Sequence, residues 1–477
     1  MQKITSIHFV GIKGVGMAPL AIIAKEAGIQ ISGSDIADEF ITDKALAKVG
    51  IKPFVDFSKD HVKHVDLVIT TGAHGGFDNI EVLAAKEQGI PVWTQGRAVG
   101  EFMSGTIFER IQKGISVTGT HGKTTTTAMI ATIFIHAGVD PSFLIGTSEI
   151  PSLGQSGHYG RGEYFIAEAD EYVSEPTHEM IPKLLFQKPL VAVITNIEFD
   201  HPDVYRDQSH VIDTMLKFVN ENVKEGIIII NNDDSGSKNM YQRINRENKE
   251  LITFGKEKES TYRIHAIRIS AEKTTFSLEI KNQESVDFTI HTGGEHNIYN
   301  ATAAIVVALQ CGLTVTQIQK GIMTFTGSKR RMEYKGKLSS GTLIYDEYAH
   351  HPTEISRSLM ALKAMYPDKK LVVIFQPHTF SRTKALFDGF TKAFNGASEV
   401  LLLSIYASLR EQSDNSVSMD DLAHKINLNG QNAHYLPRPI DVIRYIQEKN
   451  YGSDTLIATM GAGDIYKIIE DLDIQYG

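Results

Sequence analysis

The chain has 477 residues, of which 42% are hydrophobic and 22% charged, with a net charge of −9. At roughly 100–200 residues per domain this predicts two to four soluble domains. The acidic balance excludes an unspecific nucleic-acid binder and points to small-molecule partners. Cys311 is the only cysteine, which excludes a disulfide framework and a cysteine metal site and leaves a buried structural thiol. No apolar run reaches membrane-spanning length and no signal-peptide pattern opens the chain, so a cytoplasmic protein without membrane insertion is expected.

A strand is predicted over residues 6–10, then Gly11-Ile12-Lys13-Gly14-Val15-Gly16 and a helix over 17–27. The spacing is not the dinucleotide fingerprint, but the physics is shared: glycines admit close backbone approach, and a helix start favours a diphosphate. A structural turn explains the glycines equally well. Ser34 and Asp35, at the end of the next strand (30–32), favour a nucleotide-type ligand, because such folds meet a nucleoside there. Strands over 66–70, ending in Thr71-Gly72-Ala73-His74, and over 92–94 complete a parallel, doubly wound domain, residues 1–108.

Next come a β-branched strand over 115–118, the loop Gly119-Thr120-His121-Gly122-Lys123-Thr124, and a helix that closes at Gly138. Strand, tight loop and helix make a phosphate cradle: backbone N–H groups face an anion, Lys123 adds a point charge and Thr124 a hydroxyl for a phosphate-bound magnesium. The first glycine of the common P-loop pattern would fall at Val117, so a plain glycine turn is the rival reading. Against it stand four consecutive threonines, Thr124 to Thr127, opening a helix where better helix formers were available.

Strands over 164–167 and 190–194 deliver Glu168-Ala169-Asp170-Glu171 and Thr195-Asn196-Ile197-Glu198-Phe199-Asp200-His201, oxygen ligands and an imidazole suited to magnesium beside a triphosphate. A core strand over 227–230 is followed by alternating patterns over 262–269, 275–280 and 286–290, a small antiparallel flank. The glycine- and serine-rich piece 153–162 reads as a loop. Asn297 and Asn300 open an Ala-rich helix, where their amides could read a purine edge or merely cap. These elements make a central domain, residues 109–328.

After the basic linker 328–331 a new α/β alternation spans 329–477, with strands over 342–345, 370–375, 399–403 and 455–459. Polar segments follow the strands: Asp346 to Glu354, including His350, His351 and a helix-opening Pro352; Gln376 to Thr383, including His378, Thr379 and Arg382; and Met460 to Asp464. Open α/β sheets place ligands at such strand ends.

Taken together, G-T-H-G-K-T-T-T from Gly119, E-A-D-E from Glu168, T-N-I-E-F-D-H from Thr195, H-N-I-Y-N-A from His296, R-R-M-E from Arg330 and Y-A-H-H-P-T-E from Tyr348 resemble the Mur ligases. These are the ATP-dependent amide-forming enzymes of peptidoglycan precursor synthesis, and the resemblance covers the whole chain. It implies three α/β domains: Rossmann-like, P-loop ATPase-like, and Rossmann-like again. ATP would be held by Gly119, Thr120, His121, Gly122, Lys123, Thr124, Thr125, Asn297, Asn300 and Arg331. Magnesium (Mg2+) would be held by Thr124, Glu168 and His201. Gly11, Gly14, Val15, Gly16, Met17, Ser34, Asp35 and Thr71 would hold a UDP-sugar.

G-I-K-G-V-G-M, S-G-S-D and Q-P-H-x-x-S-R-T are similar to the branch that joins L-alanine to UDP-N-acetylmuramate through an acyl phosphate. That implies a catalytic set of Lys123, His201, Arg331, His350 and Arg382. Arg382 would take the amino-acid carboxylate with His378 beside it, and His350 and His351 would orient the amine or merely cap and pack. Three departures, Thr379 for a usual arginine, Glu347 for Asp and Tyr172 for Ser, leave the acceptor open. The runner-up is the tripeptide L-Ala-γ-D-Glu-meso-diaminopimelate, as in murein recycling. A nucleotide-binding regulatory ATPase is the rival of another class, a dehydrogenase a poorer third. A monomer or weak homodimer is expected.

Overall fold

The computed structural model describes residues 3–280, 284–407, 414 and 416–475. Its strands form three main sheets, each built around short apolar runs buried on both faces, as parallel strands covered by helices require. The first sheet has the order Gln30–Ser34, Ser6–Val10, Leu67–Thr70, Val92–Thr94, all parallel. The second has ten strands. Lys113–Thr118 lies near its centre between Val191–Ile194 and Tyr164–Glu168, and the antiparallel flank Tyr262–Ile269, Thr274–Ile280, Val286–Ile290 closes one edge.

The third sheet runs Ala433–Tyr435, Glu399–Leu402, Lys370–Phe375, Thr455–Met460, Leu343–Glu347, Glu333–Leu338, Ile474–Gln475, the last two antiparallel. This is the three-part α/β architecture that the sequence suggests.

Three local expectations are corrected. Residues 153–162 are not simply a loop: Gly157–His158 pairs antiparallel with Ser142–Leu144, and at Gly157 the chain passes so close to Pro19 that a side chain would collide with its backbone. The strand expected over 342–345 continues to Glu347, so Asp346 and Glu347 are buried ladder residues. Cys311 is half-buried at its helix end.

One face of the first sheet packs a small cluster of its own, Val10, Val62, Val68, Val82 and Ala85, but the larger cluster on its other face is shared. Ile7, Phe9, Leu20, Ala21, Trp93 and Phe102 form one cluster with Leu144, Phe165 and Ala167 of the second sheet. The third sheet's two clusters draw only on residues from Met332 onward.

Candidate active site where the three sheets meet

The phosphate loop is shaped by the strand beside it. A side chain at Gly119 (φ 133°) would run into Thr195 Oγ1 and the Asn196 backbone, and one at Gly122 (φ 84°) into Asn300, so both need glycine. Thr195 Oγ1 donates to the His121 carbonyl (2.6 Å), Asn196 Nδ2 donates to the same oxygen (2.9 Å), and Asn196 Oδ1 accepts from the His121 N–H (2.9 Å). The T-N of T-N-I-E-F-D-H is thus the template of the loop.

Lys123 opens the helix Lys123–His136 and folds back over its own loop. Its Nζ donates to the carbonyls of Gly119 (2.7 Å) and Thr120 (3.3 Å) and to Glu171 (2.8 and 3.1 Å). Burial pulls the ammonium pKa down, but Glu171 and Asp170 overcome it, so the charge is held above the usual lysine range. Thr124 Oγ1 donates to Glu168 (2.9 Å), whose other oxygen accepts from the Gly146 N–H (2.5 Å); burial pushes this carboxyl up.

Two cavities adjoin the loop. One, about 660 Å³, is lined by His121, Gly122, Thr125, Asn297, Asn300 and Arg331. The other, about 350 Å³, is lined from all three sheets, among others by Val15, Gly16, Lys123, Glu168, His201, Arg331, His350, His378 and Arg382. Arg331 borders both, over the Tyr348 ring (4.7 Å), whereas Arg330 is buried in bonds to Asp346, Gly461 and Gly463. Both arginines touch the smaller cavity, but only Arg331 also borders the larger one, and its guanidinium is not spent on such bonds.

His350 donates from Nδ1 to the Tyr348 carbonyl (3.0 Å), with the tautomer assigned from that bond, and burial lowers its pKa to about 4. It is a neutral imidazole at pH 7. His378 is pushed lower, to about 3, by burial, His350 and Arg382.

Several expected contacts are already occupied. Arg382 is buried: Nε and Nη2 donate to Asp200 (2.8 and 3.3 Å), Nη1 donates to His378 Nδ1 (3.3 Å), and Nη2 also approaches His201 (3.5 Å). Little of its fork is open to an amino-acid carboxylate. The amides of Asn297 and Asn300 bind each other (3.1 Å), Asn297 also donates to Gly293 O, and Thr126 donates to Asn300. They line the larger cavity as a brace more than as a purine reader.

Both ring nitrogens of His351 are engaged, as the capping alternative has it: it caps the helix Pro352–Met365 by accepting from the Thr353 N–H (3.2 Å), and its Nε2 donates to Phe199 O (3.1 Å).

In the first sheet Val15 and Gly16 reach the smaller cavity, but Met17 is core. Ser34 is sealed with His8, His61 and Glu81, to which its hydroxyl donates (2.6 Å). Asp35 spends both oxygens on the N–H groups of Lys13 (2.8 Å) and Ile36 (2.9 Å). Neither side chain is open to a nucleoside. The glycine that the turn demands is Gly11 (φ 78°), whose missing Cβ would meet the Thr71 methyl at 2.5 Å; Gly14 has ordinary room. Asp200, Glu171, Glu198, Glu354 and the Asp170–Lys183 pair (2.8 Å) carry the site's electrostatics. Most stand in the quoted motifs, but nothing in their spacing says whom they meet.

Residues 6–106 match the Mur ligase family catalytic domain, 117–308 the Mur ligase middle domain, and 330–463 the Mur ligase glutamate ligase domain. The chain belongs to the Mur ligase family. It is therefore an ATP-dependent amide-forming ligase.

This Mur ligase is 37% identical to the UDP-N-acetylmuramate–L-alanine ligase of Desulfitobacterium hafniense, over 98% of this chain and 99% of that one. It is also 37% identical to the enzyme of that name from Acetivibrio thermocellus, over 98% and 96%. The crystal structure of the Thermotoga maritima UDP-N-acetylmuramate–alanine ligase superposes with a TM-score of 0.79 at 26% identity, covering 98% of this chain and 97% of that one. A murein peptide ligase from Psychrobacter arcticus shares the fold, with a TM-score of 0.70, 24% identity and 98% coverage of both chains.

Proposed function

We propose that this Mur ligase joins L-alanine to the carboxylate of UDP-N-acetylmuramate, with ATP as the activating substrate. The observation that carries the reading is the phosphate loop standing between two cavities. The larger suits a nucleotide, and the smaller, reached from the Gly11–Gly16 loop on one side and from His350 and Arg382 on the other, suits the reacting groups. The names of the two curated relatives agree.

A carboxylate is a poor electrophile because attack would expel oxide. In the reading proposed, a muramate carboxylate oxygen attacks the γ-phosphorus and ADP leaves, giving an acyl phosphate. The amine of L-alanine then attacks the acyl carbon, phosphate departs, and the amine proton is lost. Lys123 and Arg331 present fixed positive charge where the transferring phosphoryl group carries its negative charge. His350, neutral and with Nδ1 committed to Tyr348, presents its Nε2 lone pair to an amine N–H and orients the nucleophile, while the departing phosphate can carry the amine proton away. Thr124 and Glu168 offer oxygen donors and His201 an imidazole at the same cavity, a set that fits Mg2+, which would neutralise charge on the phosphates. The acceptor carboxylate would meet Arg382 at its remaining Nη1 proton.

The test offers UDP-N-acetylmuramate and ATP with L-alanine, L-serine, glycine or the tripeptide L-Ala-γ-D-Glu-meso-diaminopimelate, and measures initial phosphate release. L-alanine should be fastest, with no release when either co-substrate is omitted. A tripeptide rate tenfold above that of L-alanine would replace the reading with murein recycling, and release from ATP alone would make the protein a regulatory ATPase.

A further inference from the structure

His121 is part of the phosphate loop, yet its imidazole lies between two carboxylates on different sheets. Nδ1 stands 3.0 Å from Glu354 Oε1 of the third sheet's domain, and Nε2 stands 3.4 Å from Glu198 Oε2 of the second. Around it the helix Pro352–Met365 docks by its N-terminal turn. Thr353 donates to Glu198 (2.6 Å), Arg357 donates to Glu198 (3.1 Å), and His351 donates to Phe199 O (3.1 Å). Glu354 divides its two oxygens. Oε2 accepts the N–H groups of His350 and His351 and closes the helix cap, which leaves Oε1 for His121.

The main chain of His121 is meanwhile fixed at its N–H by Asn196 and at its carbonyl by Thr195 and Asn196, so the imidazole and the loop cannot move independently. The connection between the sheets, residues 326–332, is a tight turn closed by the Ser328–Arg331 bridge and holds Arg330 (φ 61°) and Met332 (φ 49°) in the left-handed region, where a change of φ and ψ would swing the third sheet.

We propose that His121 is a positioning residue that couples the phosphate loop to docking of the C-terminal sheet, its imidazole bridging Glu198 and Glu354 so that the docked domain is held in register with the loop that Thr195 and Asn196 shape. The inference rests on the reading of this loop as the ATP site. The acceptor side, His350 and Arg382, would thereby be held against the loop, since both belong to the docking domain.

The test compares the full-length protein with His121→Gln, Glu354→Gln and the double variant. Gln at 354 keeps an oxygen for the helix cap, so loss of fold is not expected, and unchanged UDP-N-acetylmuramate binding by calorimetry checks this. Each single variant should lower kcat for phosphate release about 10- to 100-fold, because a displaced reacting group is costly. Nucleotide affinity should change much less, and small-angle scattering with a non-hydrolysable ATP analogue should show a more extended molecule. The double variant should be no worse than the more impaired single one, since both break the same bridge.

Additive losses, or lost turnover with unchanged compaction, would overturn the coupling and put His121 on the phosphate itself. Stoichiometric zinc in the purified wild type but not in His121→Gln would also overturn it. The bridge would then be a cation among His121, Glu198 and His351, whose ligand atoms lie within 4.8 Å. Scattering and nucleotide binding do not depend on the acceptor, so they stand even if L-alanine proves to be the wrong amino acid.

Discussion

At the scale of single residues, the site is set by which charges have already found partners. Arg382 and Asp200 each keep about 6% of their side chain exposed, come from different sheets, and hold each other in a two-point contact. Removing one partner of such a pair leaves the other charge in a dry environment, which costs about 3–5 kcal/mol. Asp200→Asn should therefore lower the melting temperature by several degrees and loosen the contact between the second and third sheets. Thermal denaturation together with limited proteolysis at the linker would read both; an unchanged melting curve would mean that Arg382 is held by His378 and the cavity wall alone.

Thr379, standing where the family resemblance leads one to expect arginine, sits at φ 70° with its N–H bonded to Tyr406 O (3.0 Å) and its carbonyl accepting from Thr383 (2.6 Å). The strained backbone is thus kept by two bonds beside the cavity.

At the scale of elements, the helix Pro352–Met365 presents its capped end to an imidazole whose titration should be visible. Burial opposes protonation of His121, but Glu354 and Glu198 outweigh it and raise its pKa to about 9, from an ordinary 6.5. The other groups facing it are the neutral ring of His351 and, farther out, Arg357 and Arg331. A pKa raised on folding gives stability that is complete below pH 6.5 and lost as pH rises through 9. The docking of this helix should therefore weaken between about pH 7 and pH 9.5, by up to about 3 kcal/mol, with a larger radius of gyration at the alkaline end. In His121→Gln the profile should be flat over that window.

The same element shows what the sequence could and could not reveal. The apolar runs, the glycine turns at strand ends and Pro352 at a helix start are local signals, and the sheets follow from them. Strand Gly157–His158 was hidden because its residues look like loop, and Glu333–Leu338 because its exposed, charged face masks the pattern. Ser34 and Asp35 read as ligand contacts because they end a strand, yet His8, Glu81 and the Lys13 N–H claim them. Asp200 meets Arg382 across 182 residues, a pairing that spacing along the chain cannot express.

At the scale of the whole molecule, two of the three sheets share a core and the third does not. On strand Tyr164–Glu168 alternate side chains face opposite ways, as the period of two requires. Tyr164 and Ile166 join the cluster under the helix Lys123–His136, while Phe165 and Ala167 join Phe9, Leu20 and Phe102 of the N-terminal part. Phe143 and Leu144, on the neighbouring strand, divide in the same way. The N-terminal sheet with its helices is therefore a layer laid on one face of the central sheet, and the two should unfold together.

The third sheet, with Tyr345, Phe375, Phe390 and Phe394 in a self-contained cluster, meets the rest through polar contacts such as Arg382–Asp200 and His121–Glu354. Calorimetry should accordingly resolve two transitions. Phe165→Ala, at about 3–5 kcal/mol for a large core truncation, should lower only the one that carries the first two sheets, and Phe375→Ala only the other. UDP-sugar binding should fall with the first variant and survive the second at temperatures between the two transitions. A single transition moved equally by both variants would show that the polar contacts between sheets are strong enough to make all three one cooperative unit.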